Sequence, residues 1–468
     1  MISFCLCCAL TLIFASGCSK KKPPSFIESE KAISLIPEVR EAISSELTEI
    51  FGTVSNPQAP DWLPIERGGI QGTIKEIKSQ DRQGRTTSLT IKLKEPFTEI
   101  KVGDIIEVHI ASKKVDTTKQ VSILSFEKKT GILTLAEPLT KSVIAGTKCI
   151  LNPNSNLIAG QQLYYYYCLK CHAVTGDGKG PQASILKPKP RDFRLGLIKY
   201  TSTKPNIKAS SKDLHKLLKS GIAGTGMPAF QLLGNHEIAT LVEYTKYLSM
   251  RGEIERGLCI EAEIDFTQSL LDEELSHAKS AQQKKEVQKE FQEEIQDFLK
   301  SDFPEIVQEI SLSVAESWIK ADDPENVLMP TVKQTNPLGP SQANPDVSSL
   351  ANGKMLYLST SAQCVSCHGK TGKGDGDQTT QFQKRPDGTK YEKVGLHDTW
   401  GLPVTPRDLT YGVFCGGREP IDLFRRISAG VKGTPMPAFG GKGLNDEQIW
   451  DLVNYIYYLG GEYPNAKP

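Results

Sequence analysis

Hydrophobic and polar positions alternate in one stretch of the chain, between residues 66 and 155. The runs at 88–93, 105–110, 121–126 and 131–135 are short and β-like, and turn-forming residues separate them. A period of two places alternate side chains on opposite faces of a sheet, so we predict a small antiparallel barrel or sandwich of about five or six strands. His109 lies in one of these runs and is predicted to be an ordinary sheet residue.

Elsewhere the apolar residues recur every three or four positions, which is the period of a helix. Residues 37–51 begin with proline and stop at Gly52, and their pattern predicts one amphipathic helix. Residues 253–328 are strongly charged and carry one apolar helical stripe, formed by Val287, Phe291, Ile295, Phe298 and Leu299. We predict helices here that pack against the flanking units, followed by an extended linker from Pro330 to Pro345.

A two-copy repeat lies on either side of this charged segment. Each copy has a Cys-x-x-Cys-His motif and then a Gly-Thr-x-Met-Pro-Ala-Phe loop, at residues 168–172 and 224–230 in the first copy and at 364–368 and 433–439 in the second. Beyond each loop, the apolar residues of one helical face recur with identical spacing. The repeat indicates two homologous units, which we place at residues 156–252 and 346–468.

The Cys-x-x-Cys-His motif has the chemistry of covalent haem attachment. Two thiols three positions apart each form a thioether to a haem vinyl group, and the adjacent His becomes the proximal iron ligand. A zinc site or a thioredoxin-like redox pair is disfavoured, because the motifs are far apart, each has His in the next position, and each has its own methionine loop. We therefore predict two covalent haems c, held by Cys168, Cys171 and His172 and by Cys364, Cys367 and His368.

Met227 and Met436 are the candidate sixth ligands of the two irons. Lone methionines are usually core residues, but these two recur in a matched loop whose Pro and Gly residues fix the backbone. A thioether opposite His stabilises ferrous iron and raises the reduction potential. Iron with six ligands has no open position for a substrate, so the pattern predicts electron transfer rather than catalysis at the haem.

On these motifs, both units resemble class I cytochrome c domains. The resemblance implies a small all-α fold in which the first helix, with Gly160 and Tyr164 or with Gly353 and Tyr357, crosses the last one above a largely buried haem. The whole arrangement resembles multidomain cytochromes of planctomycete-like bacteria. The expected fold is multidomain, with two all-α class I cytochrome c domains, a small all-β domain and helical connecting segments.

A Pro-Arg-Asp sequence lies between the His and the Met of both copies and contains Arg191 and Arg407. An arginine there pairs with haem propionates and tunes the potential, or else it forms a surface turn with a local Asp-Arg pair. The second copy has a longer loop before this sequence, and that loop, with His397 and Trp400, is a candidate docking surface. His397 is either an alternative iron ligand or an ordinary loop histidine.

The N-terminal residues 1–18 are predominantly apolar and end in Ala-Ser-Gly-Cys, which resembles the lipobox of bacterial lipoproteins. The resemblance implies that Cys18 is lipidated and anchors the protein to the membrane on the extracytoplasmic, periplasmic side. An ordinary cleaved signal peptide and an uncleaved anchor are the alternatives. The net charge of +1 gives no argument for nucleic acid as a partner.

Three cysteines lie outside the N-terminal segment and the two motifs, namely Cys149, Cys259 and Cys415. An odd number cannot form a complete disulfide framework. Cys149 and Cys259 are a candidate pair in an oxidising compartment, and three buried free thiols are the alternative.

The predicted organisation has six parts: a signal segment at 1–18, a tether with one helix at 19–65, a β domain at 66–155, a cytochrome unit at 156–252, a connector at 253–345 and a second cytochrome unit at 346–468. No Ser/His/Asp, Walker or paired-carboxylate pattern occurs in the sequence. The leading hypothesis is a membrane-tethered electron carrier or respiratory-complex subunit, with a redox protein or respiratory complex as electron donor and acceptor. The alternatives are a dihaem peroxidase-like enzyme in which one axial Met is displaced, and a sensor in which the β domain binds a partner.

Overall fold

The computed structural model describes residues 25–94, 99–110, 117–441, 443–466 and 468. The signal segment at 1–18 and Cys18 lie outside the described residues. Within the described ranges, no helix combines the length and the apolar character that crossing a bilayer requires.

Two helices precede the barrel and cover the first helical unit. The short α1 (Glu30–Ser34) leads into α2 (Pro37–Phe51), which begins at a proline because the fixed φ of that residue suits the first turn of a helix. The helix ends where Gly52 adopts a φ of 68°. The apolar face of α2 is buried against a later helix, where the Tyr247 hydroxyl donates to the Phe51 carbonyl over 2.6 Å. A short ribbon follows, formed by β1 (Gly52–Thr53) and β2 (Asn56–Pro57).

The alternating segment forms a closed antiparallel barrel, which is one of the two predicted architectures. Its strands are β3 (Ile70–Gln80), β4 (Thr86–Leu93), β5 (Ile105–Ile110), β6 (Thr117–Glu127), β7 (Ile132–Leu139) and β8 (Lys148–Leu151). The strands pair in the order β3-β4-β7-β6-β5-β8, and β8 pairs back to β3, so closure leaves no free edge. Alternate residues such as Ile74, Leu89 and Ile106 fill the interior.

The first helical unit and the connector share one apolar core with α1 and α2. The unit consists of α3 (Ser155–Tyr167), α4 (Leu169–His172), α5 (Ser211–Ser220) and α6 (Asn235–Glu263). The connector contains α7 (Gln268–His277), α8 (Ala281–Asp297), a π-helical turn (Phe298–Asp302) and α9 (Phe303–Asp322). Because α6 continues to Glu263, the boundary placed after residue 252 falls inside a helix that joins the unit to the connector.

The second helical unit has its own core. It contains α10 (Ser349–Leu358), α11 (Cys364–His368), α12 (Pro420–Ala429) and α13 (Asp446–Leu459), and its long loop holds a ribbon of β9 (Leu396–His397) and β10 (Pro403–Val404). The all-α expectation for this unit thus misses one short ribbon. The preceding linker is extended but lies against the unit, since the Trp450 indole donates to the Val332 carbonyl over 2.9 Å.

In both units the first and last helices cross at a glycine, as the resemblance implied. A Cβ at Gly160 would lie 2.2 Å from the carbonyl oxygen of Thr240, and a Cβ at Gly353 would lie 2.0 Å from that of Asp451. No side chain fits there, so only glycine permits α3 to meet α6, and α10 to meet α13, this closely. One helical turn beyond the clash, a tyrosine from each helix packs ring to ring, in the pairs Tyr164–Tyr244 and Tyr357–Tyr455.

The candidate disulfide between Cys149 and Cys259 is wrong. Cys149 lies inside the barrel, whereas Cys259 lies on α6 in the core of the first helical unit, so the two side chains belong to separate cores. These two thiols and that of Cys415 are free and buried, which was the alternative.

Candidate functional site

Each motif histidine is held through one ring nitrogen, which leaves the other free. The Nδ1 of His172 lies 3.0 Å from the carbonyl oxygen of Arg191, and the Nδ1 of His368 lies 3.0 Å from that of Arg407. Because a carbonyl only accepts, Nδ1 carries the proton and Nε2 offers a lone pair. Burial lowers the pKa of both imidazoles, although these hydrogen bonds oppose it. A neutral imidazole with a free Nε2 is the form that binds iron.

The four motif cysteines are free thiols placed around these histidines by α4 and α11. Burial raises the pKa of Cys168 and of Cys364 to about 12, so both thiols are neutral at physiological pH. Two thiols without a disulfide partner at this spacing fit thioether formation, in which each sulfur is bonded to carbon and carries no charge.

Met227 and Met436 lie in loops of matching hydrogen-bond pattern. The amide of Met227 donates to the Thr225 hydroxyl over 3.1 Å, and its carbonyl accepts from the amide of Ile222. Met436 repeats both bonds with Thr434 and Val431. Both thioethers are half-buried, Met227 against the core that contains Cys168 and Met436 against the cluster that includes Cys364. Each unit therefore brings a soft sulfur donor, a neutral imidazole and two thiols into one folded domain.

The two Pro-Arg-Asp arginines face the boundary between the units. The guanidinium carbon of Arg191 lies 3.7 Å from the ring centroid of Trp400, which belongs to the long loop of the second unit. Arg407 extends toward the first unit, where its Nη1 lies 2.8 Å from the position that a Cβ on Gly224 would take, and it also donates to the Cys415 sulfur. Each arginine thus reaches from the backbone that holds its own histidine to the other unit.

The alternative of a local Asp-Arg turn is wrong for both arginines. Asp192 pairs with Arg194 over 2.8 Å, and Asp408 accepts from the amide and hydroxyl of Thr410. Among the described ion pairs, neither Arg191 nor Arg407 has a carboxylate partner.

Further contacts join the units beside these arginines. The ammonium of Lys432, four residues before Met436, donates to the hydroxyls of Thr201 and Thr203 over 2.8 Å and to the Ile207 carbonyl. Burial lowers the pKa of Lys432 to about 8. The Cys415 thiol donates to the Ala223 carbonyl over 3.1 Å. The two methionine loops are thereby held in a fixed relation to each other.

Residues 377–394 of the long loop of the second unit are mostly exposed, whereas its part around His397 and Trp400 packs against other residues. His397 is buried, its ring stacks on Tyr391 at 3.9 Å, and its Nδ1 lies 3.1 Å from the Gly395 carbonyl. These contacts favour the ordinary loop histidine over the alternative iron ligand. The Trp400 ring packs against Gly433, where a Cβ would approach one ring carbon to 2.5 Å.

Sequence reasoning did not predict the hydrogen bonds of two pairs of supporting residues. The hydroxyls of Tyr164 and Tyr357 donate to the carbonyl that follows each motif histidine, both over 2.8 Å. The second motif cysteine of each copy lies near a glutamine oxygen, Gln182 in the first and Gln378 in the second. Both glutamines stand eleven positions after their cysteine, so the signal was present in the repeat.

One further cluster of metal-type ligands occurs in the described residues, on the barrel. It contains Asp61, Glu107 and His109, whose ligand atoms lie within 4.8 Å of one another. The guanidinium of Arg67 already pairs with both carboxylates, at 2.7 Å for Glu107. A cation would have to compete with this arginine, so the cluster is an ion-pair network and His109 belongs to the sheet as predicted.

Taken together, the donor set of both units fits c-type haem. Each offers two thiols without a disulfide partner, an imidazole with a free Nε2 and a thioether. The class of protein defined by these sites is a c-type haem protein.

Comparison with known families agrees with this class. Residues 157–249 match the cytochrome c family, and residues 348–456 match the family described as cytochrome c oxidase, cbb3-type, subunit III. Each of the two units thus matches a cytochrome c family, and cytochrome c domains imply haem-based electron transfer. No protein of curated function matches the chain.

Among solved structures, the chain is similar to a chain of the reducing HAO-like protein complex of Kuenenia stuttgartiensis. The two share 23% identity over 64% of this chain and 95% of that chain, with a TM-score of 0.40. A TM-score this low supports no conclusion about overall arrangement or function.

Proposed function

We propose that the chain is an electron carrier with two covalent haems c, each with one His and one Met as axial ligands. The observation that carries this proposal is the duplicated donor set, above all the two histidines whose Nδ1 is tied to a carbonyl and whose Nε2 is free. The predicted class I fold is supported by the two glycine crossings of first and last helix.

The residues have separate tasks in this proposal. Cys168 and Cys171, like their counterparts in the second unit, would hold the haem through thioethers, and His172 and Met227 would bind its iron. When bound, the haem supplies an iron that gains or loses one electron. The carbonyl of Arg191 orients the imidazole and increases its basicity through the hydrogen bond from Nδ1. The Thr225 hydroxyl holds the methionine loop in its turn.

Electron transfer between the two haems of one chain is part of the proposal. Its support is the contact between units, in which Arg191 lies on Trp400 and Lys432 enters the first unit between Thr201 and Thr203. Because these residues flank the histidine carbonyls and the methionine loops, the contact fixes the distance between the two sites. A fixed distance gives one transfer rate rather than a spread of rates.

We place the protein outside the cytoplasm, held to the membrane by a lipid on Cys18. The support is the lipobox-like sequence and the oxidising compartment in which haem c is attached. The match of the second unit to a subunit family of cbb3-type oxidase favours a redox protein or respiratory complex as partner. Palmitate labelling of the wild type, absent in Cys18→Ser, tests the anchor.

The haem proposal is tested by a pyridine haemochrome assay and by the ferric absorption spectrum. We expect two haems c per chain and a methionine-to-iron charge-transfer band. Met227→Leu and Met436→Leu should each remove the contribution of one haem to this band. The control Met329→Leu changes an exposed side chain and should leave the band intact. One haem or none, or a band that keeps its full wild-type intensity in either loop variant, would contradict the proposal. High-spin iron on partial reduction together with peroxide turnover would support the peroxidase-like alternative instead.

A further inference from the structure

The indole of Trp400 has a donor without a partner. Its Nε1 is buried from solvent and donates to no atom of the described residues. A buried donor that is left unpaired costs free energy, so such groups nearly always have an acceptor. We therefore look for the acceptor of this N–H outside the described residues.

The guanidinium of Arg191 is a second, half-buried donor at the same place. It lies over the Trp400 ring, and among the described residues its side chain makes neither a hydrogen bond nor an ion pair. Burial lowers its pKa to about 10, although Asp398, Tyr200 and Asp192 oppose this from a distance. One oxygen of Asp398 accepts the amides of Trp400 and Leu402, and Asp398 and Arg191 form none of the described ion pairs.

Both donors lie next to the haem sites. The carbonyl of Arg191 is the group that holds the Nδ1 of His172. The Trp400 ring rests on Gly433, three residues before Met436. An anion bound by both donors would therefore lie between the first unit's histidine segment and the second unit's methionine loop.

We propose that Trp400 Nε1 and the Arg191 guanidinium bind one carboxylate together, a haem propionate, across the boundary between the two cytochrome c units. This inference rests on the proposed haem attachment and adds a residue of the long loop to it. A carboxylate has two oxygens and accepts both donors in charge-assisted hydrogen bonds. Trp400 is then a positioning residue that changes the reduction potential of this haem. Because Trp400 and Arg191 belong to different units, residues of both units bind the same propionate.

The direction of the effect on the potential follows from charge. A propionate stabilises ferric iron, and donors that offset its charge favour the ferrous form. Trp400→Phe keeps a ring against Arg191 and Gly433 and removes only the N–H. At a fixed ambient potential we expect the ferrous-to-ferric ratio of one haem to fall roughly three- to tenfold. Arg191→Gln should lower the reduction potential of the same haem further. In the double variant the potential should fall by less than the sum of the two single-variant shifts.

The experiment is a spectroelectrochemical titration of the full-length holoprotein after its haem content has been measured. Trp450→Phe is the matched control, because it removes an indole N–H of the same unit that has a protein acceptor, the Val332 carbonyl. Unchanged potentials in Trp400→Phe, or an equal shift in Trp450→Phe, would overturn the inference. Failure of the wild type to bind two haems would refute the proposed function instead, so the two failures are distinguishable.

Discussion

The glycine at the helix crossing of the second unit carries a steric prediction. In Gly353→Ala the new Cβ would lie 2.0 Å from the Asp451 carbonyl oxygen and 2.9 Å from the Cβ of Tyr455. A carbon normally approaches a carbonyl oxygen to about 3.3 Å, so α10 and α13 must separate by about 1.3 Å or bend. Overpacking costs about 1–3 kcal/mol, and alanine returns about 0.5–1 kcal/mol through its helix preference. Because the clash is with backbone, which has no rotamer to change, we expect a net loss of about 2 kcal/mol.

Unfolding of the holoprotein, followed by circular dichroism and by the haem absorption, measures this loss. For a domain of this size, about 2 kcal/mol lowers the midpoint by ~8–16 °C. Gly257→Ala is the control, because a Cβ on α6 there meets only the side chain of Ile310, at 2.7 Å, which is free to shift. A second unit of wild-type stability in Gly353→Ala would refute the close crossing.

Two further predictions concern charge. Burial lowers the pKa of Lys432 from 10.5 to about 8, so the folded state binds fewer protons between those values and the unfolding free energy should rise with pH across that window. Urea titrations at pH 7.5 to 10.5 should show this rise in the wild type and not in Lys432→Met. Burial raises the pKa of Glu107, but hydrogen bonds from Arg67 and Gln120 outweigh it and lower the pKa overall, so its stabilisation is lost as pH falls through that lowered value. Glu107→Gln should lower the unfolding free energy by about 3 kcal/mol at neutral pH and weaken its dependence on acid pH. An unchanged unfolding free energy would contradict a structural role for the Arg67–Glu107 ion pair.

Elements set by local sequence were predictable from the chain alone. The helix at residues 37–51 matches α2 because a proline start, a helical stripe and a glycine stop are all local signals. The barrel strands followed from alternation, although closure rather than a sandwich depends on the pairing of β8 with β3, which no local pattern specifies. The crossing glycines and the histidine motifs were visible because each occurs twice.

Contacts between distant segments were not predictable in the same way. Sequence placed Trp400 on a loop for an external partner, but the loop packs on Arg191, more than two hundred positions earlier in the chain. A local turn in which Arg191 pairs with Asp192 was a reasonable prediction because the two residues are neighbours in the sequence. It is wrong because Asp192 pairs with Arg194, two residues further along the chain. The pairing of Cys149 with Cys259 failed since spacing says nothing about which core a thiol enters.

The contact between the units makes two similar sites unequal. The arginines come from equivalent positions, and each reaches toward the other unit's methionine loop. Yet Arg191 meets an indole with an unpaired N–H, whereas Arg407 meets the Cys415 sulfur. Near-identical ligand loops would by themselves give near-identical potentials, because the axial atoms are the same. On the proposed function, the unequal surroundings of the two arginines separate the potentials, and this separation gives electron transfer within the chain a direction.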